Sequence, residues 1–167
     1  FYPTEIGALT RCEFNIVPPC PVDQEVDCGP PPLTEEYFEW VDILEAVAEG
    51  SGPFVFCELG AGFGRWSVTA GLAARQRNRV FHAIMVEAEP RHAEWAVLHA
   101  KDNGIDASLI EAAVGAERGS MEFIVQQPKD DAAPHDPKSW YGQVLARDAG
   151  HSFADASIQA QDYFGHK

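Results

Sequence analysis

The sequence predicts an α/β fold, a doubly wound and mostly parallel sheet, and three observations carry that expectation. Between residues 54 and 125, short apolar runs rich in aromatic and β-branched residues alternate with stretches of helical period. The first run leads through a glycine bend straight into a helical stretch, the kind of connection parallel strands require. The length of 167 residues, 46% of them hydrophobic, suits one domain with a core of its own.

Residues 1–33 read as an irregular Pro-rich arm. Pro18-Pro19 and Pro30-Pro31-Pro32 lack amide donors and fix φ, which keeps them out of helix interiors and central strands. Phe14, Ile16 and Val17 are expected to pin the arm to the domain. Thr34 reads as an N-cap, and the charges of Glu35 and Glu36 suit the positive end of a helix running through Ala48. Phe38, Val41, Leu44 and Val47 recur along it at helical spacing, and Gly50-Ser51-Gly52-Pro53 stops it.

Phe54 to Cys57 is the first strand, ending at Glu58, and Trp66 to Gln76 the helix after it. Val80 to Val86 and Glu94 to Lys101 repeat the unit, closed by Asn103-Gly104 as a left-handed cap. Ala107 to Ala113 is a third strand and Met121 to Val125 a fourth. From Gln126 the pattern dissolves and no further strand is expected, so the sheet reads as incomplete. The chain thus divides into an arm (1–33), an α/β segment (34–126) and a loop-rich segment (127–167). Its first residue is Phe1 and not Met, which fits an excised piece.

Twelve Lys and Arg against 26 Asp and Glu give a formal charge of -14. That surface repels phosphate backbones and anionic lipid, so neither nucleic acid nor membrane is an expected partner, and it suits a cationic ligand. No stretch reaches the roughly 18 apolar residues of a spanning helix, and no signal-peptide pattern opens the chain. Cys12, Cys20, Cys28 and Cys57 form no zinc-like spacing. Reduced thiols in a cytoplasmic protein are the expectation, with a Cys20–Cys28 bridge as the alternative. The six histidines are scattered, so no metal site is expected; His82 reads as a satisfied buried residue and His135-Asp136 as a solvated pair. The absence of a Gly-x-Ser-x-Gly elbow and of a Walker loop argues against hydrolase and P-loop chemistry.

The segment Phe56-Cys57-Glu58-Leu59-Gly60-Ala61-Gly62-Phe63-Gly64-Arg65-Trp66 carries the chemistry. Its glycines let the backbone turn sharply and approach a ligand with no Cβ between. The dinucleotide fingerprint places its third glycine three residues after the second, where this chain has Arg65. Glu58, two residues before the first glycine, would repel a pyrophosphate but suits an ammonium or sulfonium. The pattern therefore favours S-adenosylmethionine over NAD. Met85-Val86-Glu87-Ala88-Glu89-Pro90 ends the second strand with an acid where a ribose diol would reach it, Glu89 being read as solvated.

These residues resemble the front half of a class I S-adenosylmethionine-dependent methyltransferase of the FkbM type. Glu58 to Gly64 matches its first motif and Glu87 to Pro90 its second; Asn103-Gly104, then Ala112-Ala113-Val114-Gly115 and Gly119, follow in order. The resemblance implies that Glu58, Gly60 and Gly62 line the methionine end of the cofactor, with Ala61 and Gly64 shaping the loop. It implies that Glu87 holds the ribose hydroxyls, that Ala88 lies beside the adenine, and that Glu111, Ala112 and Ala113 lie on the adenine's other side. The implied activity is methyl transfer to a hydroxyl oxygen of a small molecule or sugar. Nothing in residues 126–167 matches the family's next strand, so no catalytic base is assigned. A catalytically silent cofactor-binding or interaction module and a nucleotide-dependent oxidoreductase stand as alternatives. Arg65 could meet the cofactor carboxylate or lie on the surface, Trp66 reads as core, and Trp140-Tyr141-Gly142-Gln143 as a cover for a ligand or an anchored loop.

Overall fold

The computed structural model describes residues 1–14, 28–31, 33–34 and 36–115, together with the backbone of 122–124 and 144–146. The chain forms two compact units, Phe1–Val114 and Gly115–Lys167. In the first, three parallel strands lie in the order β3-β4-β5: β3 is Phe54–Leu59, β4 Phe81–Glu87 and β5 Ala107–Glu111. The helices α2 (Arg65–Gln76) and α3 (Pro90–Asp102) connect them in turn, and α1 (Tyr37–Ala48) precedes β3.

Register decides which side chains meet the helices. Phe54, Phe56 and Glu58 stand beside Phe81, Ala83 and Met85, and the latter two beside Ala107 and Leu109. Alternate residues share a sheet face, so this set lies on one side. That side is the core: Ala83 and Met85 pack with Ala96 and Ala100, while Val47, Ala73 and Ala74 meet Phe54 and Phe81. Small residues let the layers approach closely; a Cβ on Gly71 of α2 would stand 2.8 Å from the Ile105 side chain. Helices α2 and α3 pack on the strands and α1 packs on α2.

The opposite face carries Val55, Leu59 and Ile110, 59%, 61% and 50% exposed. Among the described residues the helices therefore cover one face only, which departs from the doubly wound expectation. The run Phe54-Val55-Phe56-Cys57 is apolar on both sides, and such a strand reads as one covered twice.

The start of the chain is more ordered than proline content suggests. Tyr2–Pro3 (β1) pairs antiparallel with Leu9–Thr10 (β2), and Cys12–Phe14 forms a 3₁₀ turn. Ala8 and Ile6 pack on Val68 and Leu72 of α2, and Phe14 is fully buried. Ile16, Val17 and the Pro18-Pro19 pair lie outside the described residues. Cys12 is disulfide-bonded, whereas Cys57 and Cys28 are outside any disulfide, the Cys28 thiol donating to the Pro3 carbonyl at 3.4 Å. Neither the all-reduced reading nor a Cys20–Cys28 bridge fits that state.

Three local readings also change. Helix α1 starts at Tyr37 behind Glu36, which gives it no side-chain cap, so Thr34 is not its N-cap. Helix α3 starts four residues earlier than its apolar pattern, at Pro90, because Glu89 caps it by accepting from the His92 amide at 2.7 Å. Glu89 is buried, not solvated. In the second unit Glu122–Ile124 (β6) pairs antiparallel with Val144–Ala146 (β7). The expected fourth strand thus joins a strand the sequence did not signal, three residues being too few for a period to show.

Candidate functional site

The carboxyl ends of β3, β4 and β5 gather the acids and the glycine bend. Glu58 stands opposite Met85, and Glu87 follows two residues later on the neighbouring strand, so both carboxylates share the helix-facing side. Both are buried, 8% and 6% exposed.

Glu58 faces the amino end of α2. One of its oxygens accepts from the Trp66 amide at 3.2 Å; the other accepts from the Ser67 amide at 2.8 Å and from the Ser67 hydroxyl. It satisfies first-turn donors that the helix cannot satisfy itself, where the helix dipole favours a negative charge. Burial raises its pKa from an ordinary 4.5 to about 7, against the opposing pull of the Ser67 and Trp66 hydrogen bonds.

Glu87 ties the glycine bend to its own strand. Its Oε2 accepts from the Gly62 amide at 2.7 Å, and its Oε1 from the Ala88 and Glu89 amides, both at 2.9 Å. The Gly60 and Ala61 amides both donate to the Val86 carbonyl, at 2.9 and 3.0 Å, and the Gly64 amide donates to Ala61 at 2.7 Å. The Gly60, Ala61 and Gly62 amides therefore turn inward, toward β4. Gly64 has φ +75°, and a Cβ there would stand 2.9 Å from the Met85 sulfur, so this third glycine allows close contact between the bend and β4. On the Cβ side of Gly60 nothing lies within 4 Å, and the bend opens there.

Of the other residues singled out in the sequence, Ala88 is half-buried beside Glu87, and Glu111 pairs with Glu87 in register. The Ala112 amide donates to the Glu87 carbonyl at 3.1 Å; Glu111, Ala112 and Ala113 are exposed. Arg65 pairs with Glu36 and lies over the Trp66 ring at 4.7 Å. It is thus held against α1, and Trp66 is half-buried rather than core. His82 is half-buried and bonded to Asp106 and Ser108, satisfied but not enclosed. His135-Asp136 and Trp140-Tyr141-Gly142-Gln143 lie outside the described residues. No cluster able to hold a metal ion occurs among the described residues.

Sequence reasoning missed Ser67, His99 and the hairpin residues that reach the bend from behind. His99 Nδ1 lies 3.1 Å from the Phe63 carbonyl, and its Nε2 lies 3.3 Å from the Thr10 hydroxyl. The 89 residues between Thr10 and His99 hide that contact from any local pattern. A cavity of about 340 Å³ opens at the opposite, amino end of the strands, lined by Arg75, Asn78, Arg79 and Asp106 among others. It is remote from the acids, and its two arginines are engaged with backbone carbonyls. No helix among the described residues is long and apolar enough to cross a membrane. Comparison with protein-family models, curated proteins and solved structures finds no match to the chain.

Proposed function

We propose that the carboxyl edge of the parallel sheet binds S-adenosylmethionine and that the chain belongs to an O-methyltransferase of the FkbM type, acting on a hydroxyl of a small molecule or sugar. One observation carries this reading above its rivals. The amino end of α2, where a dinucleotide fold seats its pyrophosphate, is filled by the chain's own Glu58 carboxylate. A phosphate would meet an acidic side chain there, with the Trp66 and Ser67 amides already engaged. A cationic, phosphate-free nucleoside meets neither obstacle.

The residues fit such a cofactor. Oε2 of Glu87 accepts a single hydrogen bond, from Gly62, and a carboxylate oxygen has room for a second, which a ribose hydroxyl can supply. The open side of Gly60 gives a path to the bend. Glu58 offers a charge that a ligand ammonium or sulfonium would draw out, since its carboxyl titrates near neutrality without one. When bound, the cofactor supplies a sulfonium methyl that an acceptor oxygen takes by in-line displacement, and the protein's part is orientation and exclusion of water. Burial of Glu58 and Glu87 supplies the dry side of that site.

A second reading, a binding module without transfer activity, draws support from the three-stranded extent of the described parallel sheet. Calorimetry with S-adenosylhomocysteine, S-adenosylmethionine and NADH tests the cofactor. The adenosyl ligands are expected to bind, and Glu87→Gln to weaken them about 100-fold, the effect of losing hydrogen bonds to a charged acceptor. Tight NADH binding with no adenosyl affinity would overturn the assignment. Transfer of a labelled methyl group to hydroxylated acceptors then separates the enzyme from the silent module.

A further inference from the structure

Three consecutive residues of the amino-terminal hairpin grip one face of α3. Leu9 donates its amide to the Asn103 side chain at 2.7 Å and accepts from that side chain through its carbonyl at 3.0 Å. Thr10 meets His99, and Arg11 forms a two-point pair with Asp102. His99, Asp102 and Asn103 stand at helix spacings of three and four, so they form one row. Below the row, the Phe14 ring lies 5.6 Å from Phe63, 5.1 Å from Trp95 and 5.8 Å from His99. Phe63 is the residue between Gly62 and Gly64.

The chemistry of the partners fixes the imidazole tautomer. The Phe63 carbonyl can only accept, so Nδ1 carries the hydrogen and donates to it. Nε2 is then an acceptor and takes the hydrogen of the Thr10 hydroxyl. Burial keeps the ring in this neutral form, with its pKa lowered from 6.5 to about 4. The result is a directed chain from Thr10 through His99 to the backbone of the bend. It approaches the bend from α3 and the hairpin, whereas Glu87 holds the Gly62 amide from the strand.

From this arrangement we infer that His99 is a positioning residue for the cofactor bend, with the hairpin residue Thr10 setting its orientation and Phe14 closing the space beneath Phe63. The inference rests on the adenosyl-binding reading for its functional consequence, but not for its structural content. Without the chain the bend loses its tie to α3 and the hairpin and samples shapes that do not receive the ligand, so affinity falls by the fraction of time spent in them.

Two readouts on the same variants separate the two ideas. Hydrogen exchange on the ligand-free protein reads the bend directly. His99→Leu and Thr10→Val are expected to speed exchange at the Gly62 and Gly64 amides about tenfold while Ala83 and Met85 amides in β4 stay unchanged. His99→Gln, whose amide can donate to Phe63 and whose carbonyl can accept from Thr10, is expected to restore slow exchange. Calorimetry with S-adenosylhomocysteine then reads the consequence, an affinity about tenfold weaker in the first two variants and recovered in the third. Thr10→Val removes one hydroxyl from the hairpin and leaves the core intact, so it decides the matter if His99→Leu fails to fold. Unchanged exchange at Gly62 and Gly64 in Thr10→Val would overturn the positioning role. A wild-type protein that binds no adenosyl ligand would instead overturn the functional reading, with the exchange data still deciding the role of His99.

Discussion

At the carboxyl edge of the sheet, Glu58 and Glu89 satisfy the amides that open α2 and α3. At the amino edge, arginines satisfy the carbonyls that close helices: Arg79 donates to Val47 at 2.6 Å at the end of α1, and Arg75 to Asn103 and Gly104 just beyond α3. Each charge suits the pole of the helix dipole it meets. The difference lies in solvent. Arg75 is exposed, whereas Glu58 and Glu89 are buried. A long arginine reaches a carbonyl while its charge stays wet; a carboxylate at a strand tip must give up water to reach an amide. Burial of acids at such a cost marks the acidic edge as the place where chemistry is expected.

The sharpest way to break the acidic edge is Gly64→Ala. A side chain at φ +75° and 2.9 Å from the Met85 sulfur combines backbone strain with overpacking, for a loss of about 2–5 kcal/mol in urea unfolding. A variant as stable as wild type would mean that the bend does not need its close contact with β4.

Glu58 gives the next effect, and its sign is set by its pKa. The folded protein holds the proton to about pH 7, while an unfolded carboxyl releases it near 4.5. Glu58 therefore lowers stability progressively as pH rises from 4.5 to 7, by about 3 kcal/mol at full ionisation. His99 acts in the opposite sense. Its folded pKa is about 4 against 6.5, so its contribution rises between pH 4 and 6.5 as the unfolded chain loses its preference for the proton. The two offset each other in the wild-type curve. Unfolding at pH 4.5 and 7.5 is expected to show Glu58→Gln gaining on wild type at the higher pH. His99→Gln is expected to lose ground to wild type over the same interval. A constant difference between Glu58→Gln and wild type would show that the carboxyl is not held protonated.

The basic edge should yield least. Arg75→Met removes two hydrogen bonds, one exposed and one part-buried, from a side chain that is itself exposed, and the expected loss is about 1 kcal/mol, with adenosyl-ligand affinity unchanged by calorimetry. A fall in affinity would tie the amino edge to the site and erase the contrast between the two ends.

Much of this organisation is legible in order along the chain. The run from Phe54 to Glu58, the three glycines and the helix after them are local signals, because a strand period, a bend and a helix period each need only a few neighbouring residues. The same locality put Glu58 and Glu87 at the tips of adjacent strands. What neighbours could not tell is what those tips touch. The sequence presents Glu58 as an acid that meets a ligand, yet it caps α2 through Trp66 and Ser67; it presents Glu89 as solvated, yet Glu89 caps α3. The cap on α2 comes from a residue eight and nine positions away and depends on how a strand and a helix pack, which no local period contains. The cap on α3 lies only three positions away, and there it is the burial of Glu89 that packing decides.

The alternation of apolar runs, the glycine spacing and the acidic balance by themselves determined a strand–bend–helix unit, its repetition, and two acids at its edge, since each follows from residue type and near-neighbour period. Only the tertiary structure decided that the helices of the described residues lie on one face, that the opening residues form a hairpin, and that Thr10 reaches Phe63 through His99. Those contacts join residues tens of positions apart. They are selected by the register of the sheet and the close approach of small residues, quantities that arise once the layers are packed.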